Sequence, residues 1–336
     1  MRRWVAWASA VVLAVAGLGA AAAWGNTFAM EERAVSLPGL DGTLDGVLTL
    51  PEHRSGPVPV VVFVHGDGPV DATNQGLYRP QFEALAEAGV ASVSWSKPGV
   101  GGSDGDWLRQ DQADRAREVA GAVAALRQWP EIDPERVGLW GASQGGWVVP
   151  AAAAADPRIA FVVLVSPAVN WMRQGEFHLR ASLADDGADQ TTRDAALAAR
   201  DRVNAVLARG GSYEEYLAAK PFGEPMNRDR WAFVGRNFRS DATAALRDLA
   251  HRQTPVLLLL GGDDRNVDAH ETERVYREVL GRVRVCWFPD ADHALVRSEV
   301  ADYPVRAWVT AVFSPRRLMA PGYLRAMADF ARDPGV

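Results

Sequence analysis

Two kinds of hydrophobic run alternate along this chain. Continuous apolar runs at residues 59–64, 90–95, 136–140, 161–165, 255–260 and 283–288, rich in β-branched and large side chains, suit strands buried on both faces of a parallel sheet. Between them, residues 77–88, 106–129, 146–155 and 269–280 read as helices, the second with Val119, Val123 and Leu126 on one face. Residues 34–37 and 43–50 read as a strand pair with Asp41-Gly42 at the turn. Strand alternating with helix predicts an α/β fold, a mostly parallel sheet covered on both sides. The pattern breaks over residues 170–250, where no strand run occurs. Helical pieces at 193–207, 213–219 and 242–249 are joined there by polar or Gly-Pro stretches. The expected organisation is a core of residues 31–169 and 251–336 with a helical cap, residues 170–250, inserted into it. No internal repeat or low-complexity tract is evident.

The N-terminus does not belong to this alternation. Arg2 and Arg3 precede residues 4–24, a run of 21 residues without a charge, which marks residues 1–30 as a targeting segment and tether. As a helix the run would extend about 31 Å, close to the hydrocarbon thickness of a bilayer, with Trp4 and Trp24 at the two interfaces. The expectation is an uncleaved anchor that leaves the folded domain extracytoplasmic. Ala21-Ala22-Ala23 offers the alternative, an A-x-A cleavage site that would release the protein as a secreted one.

Composition narrows the function classes. At 336 residues, 48% hydrophobic and 23% charged, the chain can bury a large core without disulfides or metals. Its single cysteine, Cys286, sits in an apolar run and is expected to be an inert strand thiol. A net charge of −6 with no basic stripe argues against nucleic acid as a partner.

Chemistry concentrates at Gly141-Ala142-Ser143-Gln144-Gly145. The strand run 136–140 precedes it and alanine-rich helix formers follow, so Ser143 falls on a sharp strand-to-helix turn that pushes its hydroxyl into the open. The same turn aims the backbone N–H of Gln144, at the helix start, toward an anion forming beside Ser143. Gly101-Gly102-Ser103-Asp104-Gly105 fits the same GxSxG expression, but with turn chemistry on both sides, and Ser103 is the decoy. A serine nucleophile needs a base and a group that orients the base. Of the six histidines, His293 lies in a short loop directly after the last predicted strand and is the candidate base, while His65 is expected to fix a glycine loop. Two adjacent carboxylates, Asp263 and Asp264, follow the strand 255–260. Neighbours in an extended loop point apart, so only one can face His293.

The loops His65-Gly66-Asp67-Gly68-Pro69, Lys97-Pro98-Gly99-Val100-Gly101-Gly102-Ser103 and Gly141-Ala142-Ser143-Gln144-Gly145-Gly146-Trp147 resemble those of the α/β-hydrolase superfamily. The resemblance is to bacterial esterases related to acyl-peptidases and dienelactone hydrolases, and covers about residues 34–169 and 251–315. It implies an α/β-hydrolase fold and selects Asp264 as the acid, three residues after a glycine and followed by x-x-Val at Val267. It also implies the backbone N–H of Asp67 as the second oxyanion donor. Asp268 departs from the pattern, where many relatives carry proline.

The expected activity is cleavage of an ester bond in a small-molecule acyl substrate through an acyl-enzyme on Ser143, with His293 as acid and base and Asp264 holding its tautomer. A peptidase, acyl-aminoacyl hydrolase or thioesterase would use the same residues, and a non-catalytic binding domain on this fold is the alternative from another class. No cofactor or metal is called for, since Asp185-Asp186 with Asp189 matches no calcium-loop spacing and reads as a solvated turn. Trp171, Phe177 and Trp231 of the insertion are expected to line the acyl pocket, because an insertion between strands that end at the active edge lies over Ser143. Oligomeric state is not readable from the residues.

Overall fold

The computed structural model describes residue 19 and residues 21–335. Eight strands form one sheet: β1 (Glu31–Pro38), β2 (Thr43–Leu50), β3 (Val58–Val64), β4 (Ala91–Trp95), β5 (Ile132–Ala142), β6 (Ile159–Val165), β7 (Val256–Gly261) and β8 (Arg284–Phe288). Their spatial order is β1-β2-β4-β3-β5-β6-β7-β8, with β2 antiparallel to both of its neighbours and every other pairing parallel. This is the α/β-hydrolase fold. The longer helices are α1 (Arg79–Glu87), α2 (Gln112–Leu126), α3 (Gly145–Ala155), α4 (Trp171–Asp185), α5 (Gln190–Ala208), α6 (Tyr213–Ala218), α7 (Arg228–Asn237), α8 (Thr243–Arg252) and α9 (Ala269–Leu280). A short α10 (Ser298–Ala301), α11 (Pro304–Phe313) and α12 (Tyr323–Arg332) complete the chain.

The continuous apolar runs have the cause the pattern suggested. Along β3, Val60, Val62 and Val64 enter one core cluster and Val61 and Phe63 the other, because successive side chains leave opposite faces of the sheet and both faces are covered. Helices α2, α3, α8 and α9 close the first face; α1 and α12 close the second. Cys286 on β8 is half-buried, and burial pushes its thiol pKa up, which fits an inert strand residue.

The helix expected over residues 106–129 divides. Trp107–Arg109 forms a single 3₁₀ turn, and α2 starts only at Gln112, where Asp111 and Asp114 close a reciprocal capping box. The break lets Trp107 pack edge-on against Phe233 of the insertion, with ring centroids 5.3 Å apart.

The insertion also divides. Helices α4 to α7 carry a hydrophobic core of their own, built on Val206, Leu207, Tyr216, Trp231, Phe233, Val234 and Phe238. Helix α8, placed in the cap by the expected boundary at residue 250, instead puts Ala242, Leu246 and Leu249 into the core against the sheet. Asp189 of the acidic turn caps α5, accepting from the Thr192 N–H at 2.8 Å.

The anchor expected at residues 4–24 lies largely outside the described residues. Residues 19 and 21–25 are helical. Among the described residues no helix is long and apolar enough to cross a membrane.

Trp231 is buried in the cap's core, where it stacks on Tyr216 with ring centroids 4.4 Å apart, and it also borders a cavity of about 250 Å³ with Leu207, Gly210, Gly211 and Phe238. Trp231→Ala is therefore expected to destabilise the protein by about 3–5 kcal/mol, the usual cost of truncating a buried tryptophan. Urea denaturation checks this, and unchanged stability would show that Trp231 does not hold the cap's core together.

Candidate active site

Ser143 sits at φ +53°, a left-handed conformation that a side chain other than glycine's adopts at a cost of about 1–2 kcal/mol. The surroundings hold it there. Its N–H donates to Val165 O at 3.0 Å, and its carbonyl accepts from Gly146 at 2.9 Å and Ala168 at 3.1 Å. Side chains at the flanking glycines have no room. A Cβ on Gly141 would lie 2.6 Å from Val149 Cγ2, and one on Gly145 2.8 Å from Val64 O. Strand β5 and helix α3 thus meet at backbone distance, and the serine turns outward at the carboxyl edge of the sheet.

The decoy has a different environment. Ser103 is buried, its Oγ donates to Ser96 O at 2.8 Å and accepts from the Asp45 N–H at 2.9 Å, so it ties the loop after β4 to β2.

The structure resolves the choice of carboxylate that contacts the histidine. His293 Nδ1 lies 2.8 Å from Asp264 Oδ2, while Asp264 Oδ1 accepts from the N–H groups of Asn266 at 2.8 Å and Val267 at 2.9 Å. Asp263 accepts instead from Ser298 Oγ. A carboxylate only accepts, so the pair places a proton on His293 Nδ1, and in the neutral ring Nε2 is the nitrogen that carries the lone pair. Ser143 Oγ forms no hydrogen bond with His293 among the described residues. Such contacts commonly tighten only when substrate is bound.

The loop after β3 lies against the elbow: a Cβ on Gly66 would be 3.2 Å from Ser143 Cβ. Among the described residues the backbone N–H groups of Gln144 and Asp67 donate to no other residue. His65 holds the loop from below. Its Nε2 is 2.6 Å from Trp95 O, so Nε2 carries the proton; burial above all, with the Lys97 charge next, pushes its pKa down to about 3 and keeps the ring neutral.

Three cations that the sequence reading did not single out surround this loop. Arg115 donates to His65 O at 2.6 Å and to Gln144 Oε1 at 2.7 Å, bridging the loop and the elbow. Lys97 Nζ donates to Gly66 O at 2.5 Å, and burial, then the Arg115 charge, holds its pKa well below the ordinary lysine value. Arg230, on cap helix α7, forms a bidentate pair with Asp67, with Nη1 to Oδ1 at 2.9 Å and Nη2 on Oδ2. Burial works to raise the Asp67 pKa, but the Arg230 hydrogen bonds and charge, with Lys97 and the Gly68 N–H, hold it below the usual carboxylate value. Gln144 Nε2 completes the ring of contacts, reaching Asp67 Oδ1 at 3.3 Å. Arg115 was legible in principle. It falls with Glu118, Val119, Ala122, Val123 and Leu126 on the buried stripe of α2, where a charge signals a specific partner.

Of the residues expected to line an acyl pocket, Phe177 is half-buried on α4. Trp171 stacks on Trp147 of α3 with ring centroids 5.2 Å apart, at the seam between cap and core. A cavity of about 250 Å³ opens beside His293, lined by Asp263, Arg265, Asn266, Asp292, Ser298, Ala301 and Asp302.

Sheet order and the elbow define the class of protein, an α/β-hydrolase. The model of the family described as serine aminopeptidase, S33, matches residues 55–299, and the chain belongs to that family. The thiohydrolase aneE of Aspergillus aculeatus is 29% identical over 114 residues, 33% of this chain and 34% of the relative. The polyketide transferase claH of Penicillium crustosum is 24% identical over 226 residues, 60% of this chain and 70% of the relative. The matches to the first curated relatives span about a third of those proteins' length. Among solved structures, the Pyrococcus furiosus esterase Pf2001 superposes with a TM-score of 0.54 at 19% identity, over 84% of this chain and 90% of that one, a likeness of fold.

Replacing Arg115 by methionine keeps its length but leaves His65 O and Gln144 Oε1 without their donor. Each unpaired buried group costs about 1–3 kcal/mol, so Arg115→Met is expected to lose several kcal/mol in urea denaturation. A loss below about 1 kcal/mol, the range of an exposed ion pair, would show that Arg115 does not hold the loop.

Proposed function

We propose that this protein is a serine hydrolase that cleaves a carboxylic ester through an acyl-enzyme. Ser143 attacks the acyl carbonyl. His293 Nε2 takes the serine proton and gives it to the leaving alcohol, while Asp264 holds the Nδ1–H tautomer and stabilises the imidazolium. The oxyanion of the tetrahedral intermediate is bound by the free backbone N–H groups of Gln144 and Asp67. Water, activated by the same histidine, then releases the acyl group. The observation that carries this reading is Ser143 at φ +53° on a strand-to-helix elbow, in a chain whose His293 is already paired to Asp264 at 2.8 Å. The names of the relatives, a thiohydrolase and a polyketide transferase, support chemistry at an acyl group and leave the thioester as the nearest rival substrate.

The protein acts outside the cytoplasm, held to the membrane by its N-terminal segment. The paired Arg2 and Arg3 ahead of an uncharged run over residues 4–24 support this, since such charges stay on the inner side.

A fluorophosphonate probe with a panel of p-nitrophenyl esters, the matching thioesters and amino-acyl anilides tests the reading. Ester hydrolysis should dominate. Ser143→Ala should abolish labelling and lower turnover by ~10⁶-fold, because removing one member of such a triad costs nearly as much as removing all of it. Ser103→Ala should leave turnover within a few-fold. Labelling of Ser103, or reaction of the Ser143 variant, would end the assignment.

The two carboxylates give an independent measurement. Asp264→Asn should lower kcat by ~10⁴-fold by releasing the imidazole tautomer. Asp263→Asn disturbs only the contact with Ser298 and should cost far less. The reverse ranking would move the orienting role to Asp263.

A further inference from the structure

Helix α11 presents its apolar side to the outside. Val305, Trp308, Val309 and Val312 recur at helical spacing and share one face; the first three are 76%, 65% and 42% exposed, and Tyr303, just before the helix, is 62% exposed. Ala307 and Ala311 point the other way and pack against the second core cluster. The helix is thus apolar on both sides, its one charged residue, Arg306, being engaged by Glu299. Scattered exposed hydrophobics are ordinary, but a stripe along one helix face that carries a tryptophan, with an exposed tyrosine just before the helix, marks a surface that meets something apolar.

The route of the chain identifies what that is. The helical turns at residues 21–25 end against α11, where Asn26 Nδ2 donates to Val312 O at 2.7 Å, and Arg316 donates to Gly25 O at 3.0 Å and Thr27 O at 2.7 Å. Arg316 is itself fixed by Glu83 and by the Phe28 ring, 4.6 Å away. Trp24, 85% exposed, is the last residue of the uncharged run that begins at Trp4. The apolar N-terminal run therefore reaches the folded domain beside the exposed apolar stripe.

We propose that α11 is a membrane-contact surface, lying in the plane of the bilayer interface with Tyr303, Val305, Trp308 and Val309, together with Trp24, at the boundary of headgroups and acyl chains. Tryptophan and tyrosine have one apolar and one polar end and concentrate at that boundary, and valines at helical spacing extend below it. This rests on the membrane-anchored reading above and adds an orientation to it. Asp302 lines the cavity beside His293 and Tyr303 follows it directly, so docking of α11 holds that cavity close to the lipid surface.

The test uses the full chain with Cys286→Ser, carrying Val305→Cys or, on the cap, Leu217→Cys, each labelled with an NBD fluorophore. The protein is reconstituted into vesicles of phosphatidylcholine and phosphatidylglycerol. A label at position 305 should be blue-shifted, and nitroxide lipids spin-labelled near the headgroup should quench it several-fold more than a label at position 217. Protein that floats with the vesicles while the 305 label is unquenched by lipid and open to aqueous iodide overturns the surface and leaves the anchor standing. A 305 label shielded from both quenchers also overturns it, and shows a second copy or the N-terminal segment lying on the helix. Failure to float overturns both the anchor and the surface; labelling by fluorophosphonate reads the hydrolase assignment independently of either.

Discussion

The candidate site depends on how closely helix α3 approaches the sheet. Gly145 leaves no space for a side chain because the carbonyl of Val64 is there, and Val64 is the last residue of β3, immediately before His65-Gly66-Asp67. One backbone contact therefore has two consequences. It turns Ser143 into a conformation that exposes its hydroxyl, and it brings the loop after β3 against that serine. The strain at Ser143, of order 1–2 kcal/mol, is offset by three backbone hydrogen bonds to the residue itself, one from its N–H and two to its carbonyl. A wider strand-to-helix turn would relax the strain and separate the two halves of the site.

The charges around the loop raise a problem of sign. The Asp67 carboxylate is attached to the residue whose amide is the proposed oxyanion donor, and an uncompensated carboxylate there would oppose a developing negative charge. Arg230 cancels it through two hydrogen bonds from the cap, while Arg115 adds positive potential to the loop and Lys97 Nζ donates to its backbone. Lys97 and Arg115 are both buried, which is costly: burial holds the Lys97 pKa well below normal and brings Arg115 down to about 10. Their compensation is local, since Lys97 donates to Gly66 O and Arg115 to His65 O, the backbone that must be held still. Polar groups fixed before the reaction stabilise charge without reorganising during it.

Much of this was legible from residue order. Apolar runs located β3 to β8, most clearly β3, β6 and β7, because strands buried on both faces cannot alternate with polar residues; β8, at the sheet's edge, is only partly buried. The elbow stood out because glycines flank a serine between a strand run and a helix run. The two missed cap helices, α4 and α7, each begin at an asparagine cap that was a usable start signal: Asn170 accepts from Met172 and Arg173, and Asn227 from Arg230. The choice between Asp263 and Asp264 could not follow from alternation alone, since the pattern says that one points inward without saying which. Arg230 had no local signal at all. Its partner is 163 positions away, and only the fold of the cap brings the two together.

The cap is fastened to the core on both flanks of the elbow. Trp171, at the start of α4, stacks on Trp147, and Arg230, on α7, grips Asp67. Trp147 and the Asp67 loop lie on either side of Ser143, so the cap's attachment and the geometry around the serine are one piece of structure. This separates two tasks within the cap. Tyr216, Trp231 and Phe233 are buried in the cap's cluster and hold its helices together. Phe177 on α4 remains partly open and takes part in neither attachment, so in the proposed hydrolase it is a cap position that can change without unseating them. An enzyme arranged in this way can alter its substrate by changing exposed cap positions while the elbow, the loop and the Arg230–Asp67 pair stay as they are.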